Sequence, residues 1–207
     1  MSPVNTESQI YKGEKLLELL PKYRDTEVKP PDDEHSTYMV DGVEHERVTS
    51  ILDVISKPAL VPWAAGIAAD SFAESLTALL QVRSLSVNDL PGLRDMAAKA
   101  HNATRDNAAS FGTRAHHAIE EYITSGVVPT DLALVPILNA FEAWRTKENL
   151  TIEYTERIVW NPEYKYGGTI DAVAYRDGKP IVIDFKTGSS IYKEAGLQVA
   201  AYAYGLR

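Results

Sequence analysis

The stretch GGTIDAVAYRDGKPIVIDFKTG, residues 167–188, constrains the fold more than any other part of the chain. Asp177-Gly178 separates two alternating apolar runs, and a two-residue hairpin turn needs positive φ at both central positions, which this pair tolerates. Centring the turn there sets the register, because a slip of one residue would turn every side chain to the other face. Asp171 and Asp184 then stand equally far from the turn and face each other across two strands. Alternation places Ile170, Ala172 and Ala174 with Ile181, Ile183 and Phe185 on an apolar core face. Asp171, Asp184 and Lys186 share the other face.

Like charges opposite one another destabilise a sheet, so paired carboxylates at this spacing need a cation or open solvent. A hard divalent cation, Mg²⁺ or Mn²⁺, suits oxygen donors of this kind and keeps several waters. The plain alternative is a solvated strand whose acids and lysine only confer solubility. Val173, Tyr175 and Val182 on the same face imply instead a surface that is partly covered. The chain has no cysteine, which excludes thiolate zinc sites and cysteine-ligated iron–sulfur clusters.

The 207 residues, 44% hydrophobic, suffice for one well-packed domain with an appendage. Three parts are expected. Residues 1–58 form an N-terminal appendage, with a helix around Ile10–Leu20, a polar stretch VKPPDDEHS and a hairpin TYMV/VEHERV turning at Asp41-Gly42; Thr49 is placed to cap a short helix after it. Residues 59–110 read as a helical region packing on or arching over the core, with Trp63, Ile67 and Phe72 as packing residues. Residues 111–207 carry the last helices, the strand TIEYTERIVW, the hairpin and the closing helix YKEAGLQVAAYAYGLR. The fold class is α/β with a largely helical N-terminal half. The start MSPVNTESQI lacks a signal-peptide layout and no apolar run approaches a membrane span, so a cytoplasmic protein with no membrane partner is expected.

Two helices carry further polar spacings. In FGTRAHHAIEEYI, His116 with Glu120 and His117 with Glu121 are both one turn apart beside an apolar stripe of Ala115, Ile119 and Tyr122. Periodicity does not choose between the pairs. In the closing helix Glu194, Gln198 and Tyr202 make a polar stripe opposite Leu197, Ala201 and Tyr204, the pattern of an ordinary solvated face.

Taken together, GGTIDAVAYRDGKPIVIDFKTG with G-T-x-x-H at Gly112, Thr113 and His116 and Q-x-x-x-Y at Gln198 and Tyr202 resembles the PD-(D/E)XK nuclease superfamily, in its RecB-like and phage exonuclease branch. The resemblance covers about Phe111 to Tyr204. It implies a restriction-endonuclease-like core sheet flanked by helices. It also implies that Asp171, Asp184, His116 and the Phe185 carbonyl hold Mg²⁺ or Mn²⁺, that Lys186 is the catalytic lysine beside Asp171 and Asp184, and that Gln198 and Tyr202 face the DNA and the attacking water. Thr113, Glu120 and Glu156 fall into supporting or substrate-facing places, Glu156 matching an acid common in that strand. Without cysteines the chain departs from the iron–sulfur members of the branch. Arg207 falls inside an expected helix where relatives continue, so a truncated core is also expected.

The activity implied is metal-dependent hydrolysis of DNA to 5′-phosphates, exonucleolytic by analogy, in phage or bacterial recombination, repair or replication. DNA is the expected partner, with a recombinase or single-strand-binding protein beside it. A net charge of -8 speaks against binding by bulk electrostatics, and Lys165, Lys193, Arg114 and Arg157 near the motifs are the expected backbone contacts. Two rivals stay open: a structure-specific endonuclease using the same residues, and a non-catalytic nucleic-acid-binding module on a nuclease fold. No G-x-S-x-G or P-loop supports an unrelated hydrolase.

Overall fold

The computed structural model describes residues 26–206, apart from 33, 34 and 56; the helix expected around Ile10–Leu20 lies outside them. Three short strands come first, β1 (Val28–Lys29), β2 (Tyr38–Val40) and β3 (Val43–Arg47). Helices α1 (Val48–Leu52), α2 (Leu60–Val82), α3 (Leu90–Ser125) and α4 (Val135–Lys147) follow. The chain continues through β4 (Thr151–Asn161), β5 (Tyr166–Arg176) and β6 (Lys179–Ile183) to α5 (Lys193–Gly205). The class is mixed α/β. Among the described residues no helix is long and apolar enough to cross a membrane.

Both two-residue turns form as their residue types demand, with φ of 49° and 76° at Asp41-Gly42 and 52° and 74° at Asp177-Gly178. The second turn gives β5 and β6 the expected register, Ala172 opposite Ile183 and Arg176 opposite Lys179. The first hairpin is no isolated feature: β3 pairs in parallel with the start of β5, Glu46 opposite Tyr166 and Arg47 opposite Gly167. The sheet is therefore six-stranded and mixed, in the order β1-β2-β3-β5-β4 with β6 also on β5. Along one edge β5 bonds to β4 over its whole length. On the other edge β3 takes residues 166–167 and β6 takes 172–176, leaving Gly168–Asp171 open between them.

The β4–β5 ladder is irregular at two places, a register shift between Ile152 and Tyr154 and a break at Glu156, and the second coincides with a correction to the expected core face. Ala172, Ala174, Ile181, Ile183 and Phe185 do share one cluster with Leu150 and Ile152. Ile170 instead packs with Val173, Val182, Val159 and Tyr202 on the opposite face. The break sits where β4 has a left-handed residue: Glu156 has φ 48°, and the ladder pairs Thr155 with Ala172 and Arg157 with Ile170 on either side of it. One residue out of the extended conformation re-aims the side chains beyond it.

Both faces of the sheet are covered. On one, α1 and α5 supply Val48, Leu52, Ala201 and Tyr202. On the other, α3 and α4 bring Ile119, Leu138 and Phe141 against Ile152 and Phe185. Ile170, Val159 and Val173 are fully buried, each stabilising the fold by about 2 kcal/mol.

The helix α1 begins at Val48 with Arg47 as its N-cap and no side-chain cap bond, so Thr49 lies inside the helix and does not cap it. Residues 90–125 form a single helix that runs across the boundary expected between residues 110 and 111. The chain divides into two compact units, one of residues up to Ile55 with Arg114 onwards, the other Ser56–Thr113. Within the second unit α2 buries none of its residues. Of the expected packing residues, Trp63 is 39% exposed and Ile67 and Phe72 are half-buried.

Candidate active site

The opening in the β5 edge is the mouth of a cavity of about 440 Å³, walled by Asp171, Asp184 and Lys186 at one end and by Tyr38 and Arg47 at the other. Two glycines make its floor. A Cβ on Gly167 would lie 2.8 Å from the Tyr38 ring, and one on Gly168 would lie 2.2 Å from Tyr202. Both rings can therefore approach the strand only because the side chains are missing.

The two aspartates meet where β6 ends. Asp184 is the first residue after β6, and the chain there leaves the ladder, so Lys186 is not carried along the strand face as expected. The Phe185 backbone N–H instead donates to Asp171 Oδ2 at 2.5 Å, which pins the second acid's loop to the first acid. His116 on α3 turns Nδ1 toward Asp171 Oδ1 at 3.5 Å and sets its ring edge-on to Phe185. Of the two alternative pairs, His116 thus faces the aspartates, while His117 pairs with Glu121 on an exposed surface at 3.5 Å.

Beyond the acids runs a chain of polar contacts. Lys186 Nζ lies 2.7 Å from Asp184 Oδ2 and donates to Gln198 Oε1 at 3.2 Å; Gln198 Nε2 donates to the Tyr202 hydroxyl at 2.9 Å. The polar stripe of α5 therefore faces inward, not to solvent: Tyr202 is 3% exposed, while Leu197 and Tyr204 from the apolar stripe are 48% and 43% exposed. This reverses the solvated-face reading of that helix. Burial against Gly168 outweighs the polarity of two side chains that satisfy each other.

Electrostatics follow from this packing. Asp184 has a side chain only 4% exposed, and burial pushes its carboxyl above the usual carboxylate range, with Lys186 opposing. Its Oδ2, despite the nearby ammonium, has no donor aligned as a hydrogen bond. The Asp171 carboxylate raises the His116 imidazole. Tyr202 is pushed up to about 12 by burial, with Gln198 opposing, and stays a protonated donor at neutral pH.

The remaining expected residues divide. Glu156, on β4 across from Asp171, has its carboxyl raised by burial and then by Asp171 and Glu120. Thr113 belongs to the second unit, and its hydroxyl donates to the Ala109 carbonyl within α3. Arg114 is ion-paired with Asp131 and Arg157 lies 5.7 Å from the Tyr154 ring centroid. Tyr38, Thr169 and Arg47, which sequence reasoning passed over, also line the cavity. Thr169 belongs to β5 itself, whereas only the pairing of β3 with β5 brings Tyr38 and Arg47 there, and no local pattern marks it.

Among the described residues no three His, Asp or Glu side chains converge as a ready-made ligand cage. The two aspartates nonetheless offer hard oxygen donors, and a buried carboxylate oxygen with no aligned hydrogen-bond donor is a group that a cation would satisfy. Oxygen donors of this kind suit a hard divalent cation such as Mg²⁺ or Mn²⁺. Compared with known proteins, the chain matches no family model and no curated protein.

Proposed function

We propose that the protein is a metal-dependent deoxyribonuclease of restriction-endonuclease-like fold, acting from DNA ends in the cytoplasm during recombination, repair or replication. The observation that carries this reading is the meeting of Asp171 and Asp184 at the open β5 edge, with Lys186 ion-paired to Asp184. A divalent cation held by Asp171, Asp184 and the Phe185 carbonyl would supply positive charge to the phosphate and lower the pKa of a water.

The protein's own groups do the rest. Lys186 has one proton left over from its contacts with Asp184 and Gln198, and this would meet charge developing on the phosphate oxygens. Gln198 is oriented by giving Nε2 to Tyr202 and taking Lys186 on Oε1, which fixes the ammonium. Tyr202, which accepts from Gln198, keeps its own proton near neutrality and would donate it toward the strand or the water. His116 holds Asp171 from the α3 side. The reaction forms a bond from water oxygen to phosphorus and breaks the bond to the 3′ oxygen, leaving a 5′-phosphate and a 3′-hydroxyl. A recombinase or single-strand-binding protein is the partner such a product strand would require.

The test is digestion of end-labelled linear DNA beside a covalently closed circle in Mg²⁺, Mn²⁺ or EDTA, with Asp184→Ala as the control. Metal-dependent loss of the linear DNA alone, abolished by the substitution, is expected. Cutting of the circle would replace the exonuclease with an endonuclease, and survival of both substrates in metal would overturn the nuclease.

A further inference from the structure

The chemistry just proposed uses only the β6 end of the opening. At the β3 end stands Arg47, opposite Gly167 in the ladder and four residues short of Asp171, about 13 Å along the strand. Its Nε is buried and has no hydrogen-bond partner, and its side chain lines the same cavity as Asp171, Asp184 and Lys186. A guanidinium is charged at every working pH and presents a planar fork of donors. A buried charged donor left unpaired is unfavourable, and an anion that takes the guanidinium from the cavity offsets part of that cost.

The surroundings favour a phosphate over a carboxylate metabolite. Tyr38 and Thr169 place their hydroxyls 2.8 Å apart in the same opening, and one of the two always has a lone pair or proton to turn outward. Gly167 and Gly168 lie between Arg47 and the aspartates, with the rings of Tyr38 and Tyr202 packed against them. With cation-binding groups at one end and a guanidinium at the other, the opening suits a chain of phosphates better than a single one.

We infer that Arg47 binds a phosphate of the DNA strand adjacent to the one being cut, so that the two ends of the opening hold consecutive parts of one backbone. This rests on the nuclease reading above. Arg47 is a binding residue and does not touch the reacting atoms.

The experiment is fluorescence anisotropy of a short labelled single-stranded DNA on the full chain in Ca²⁺, repeated over a range of salt, for the parent, Arg47→Gln and Arg47→Lys. Loss of one phosphate contact lowers the magnitude of the log–log salt slope by about 0.7, and Arg47→Gln is expected to show this with roughly tenfold weaker binding. Arg47→Lys is expected to keep the parent slope and lose part of the affinity, since a point charge replaces the fork. Parent-like slope and affinity in Arg47→Gln would overturn the assignment and leave the nuclease standing. Equal slope losses in both variants would also overturn it, because a structural role at the start of α1 ignores charge. A parent that fails to bind DNA at all would remove the nuclease reading together with this one.

Discussion

Tyr202 rests against Gly168 so closely that a methyl group on the glycine would meet Cε1 of the ring at 2.2 Å. The ring in turn anchors Gln198 and, through it, Lys186. Gly168→Ala should therefore destabilise the protein by about 1–3 kcal/mol in urea unfolding and slow DNA cleavage, although no charged group is altered. Gly188→Ala serves as the comparison, since its nearest neighbour beyond the adjoining residues is a carbonyl oxygen at 3.8 Å. Equal unfolding midpoints for the two variants would show that the ring yields without strain.

Asp184 is held where a charge is unwelcome. Its side chain is nearly buried, its carboxyl is raised by burial, and one oxygen lacks an aligned donor. Asp184→Asn should leave the metal-free protein as stable as the parent or up to about 1–2 kcal/mol more stable, while cleavage disappears. A thermal scan in EDTA beside the digestion assay checks both halves. Marked destabilisation would mean that the ion pair with Lys186 stabilises the fold more than burial of the carboxylate opposes it.

The local pieces of this arrangement were legible in the sequence and the assembly was not. Asp177-Gly178 fixed a register that alternation alone could extend to Asp171 and Asp184, because turn chemistry and period two act within a few residues. Ile170 escaped that logic: the left-handed φ at Glu156 lies on another strand, and a Glu carries no signal for that conformation. The stripe of Gln198 and Tyr202 looked like a solvated face because polarity is read one helix at a time. Its partner, Gly168, sits 34 residues before Tyr202 and gains meaning only when α5 crosses β5. Arg47 is the extreme case, since its place depends wholly on a parallel pairing between two segments far apart in the chain.

A cation that binds the folded chain and not the unfolded one must stabilise it by mass action. Mg²⁺ or Mn²⁺ at a hundredfold excess over its dissociation constant should add about 2.7 kcal/mol, seen as a rise in Tm over the EDTA value. Asp171→Ala and Asp184→Ala should each abolish the rise, and His117→Ala, on the exposed side of α3, should not. A rise that survives both aspartate substitutions would locate cation binding elsewhere in the chain.

The helical unit offers a pH test independent of the cavity. Arg83 grips Asp89 with both terminal nitrogens, at 2.9 and 2.6 Å, and the Ser86 N–H donates to the same carboxylate at 2.8 Å while the Ser86 hydroxyl accepts from Asn88 at 3.3 Å. These contacts lower the Asp89 carboxyl from its ordinary 3.8 to about 2, Arg83 first and the Ser86 N–H second. A carboxyl depressed on folding stabilises the folded state fully above its unfolded value and loses that contribution as pH falls through the folded one. The turn before α3 should thus keep its Asp89 contribution at pH 5 and lose it between about pH 4 and pH 2. Carbon NMR titration of the Asp89 carboxyl, identified by its loss in Asp89→Asn, should give a midpoint near 2 in the parent and a return toward the ordinary value in Arg83→Ala. A parent midpoint near 3.8 would show that the fork and the cap do not persist in solution.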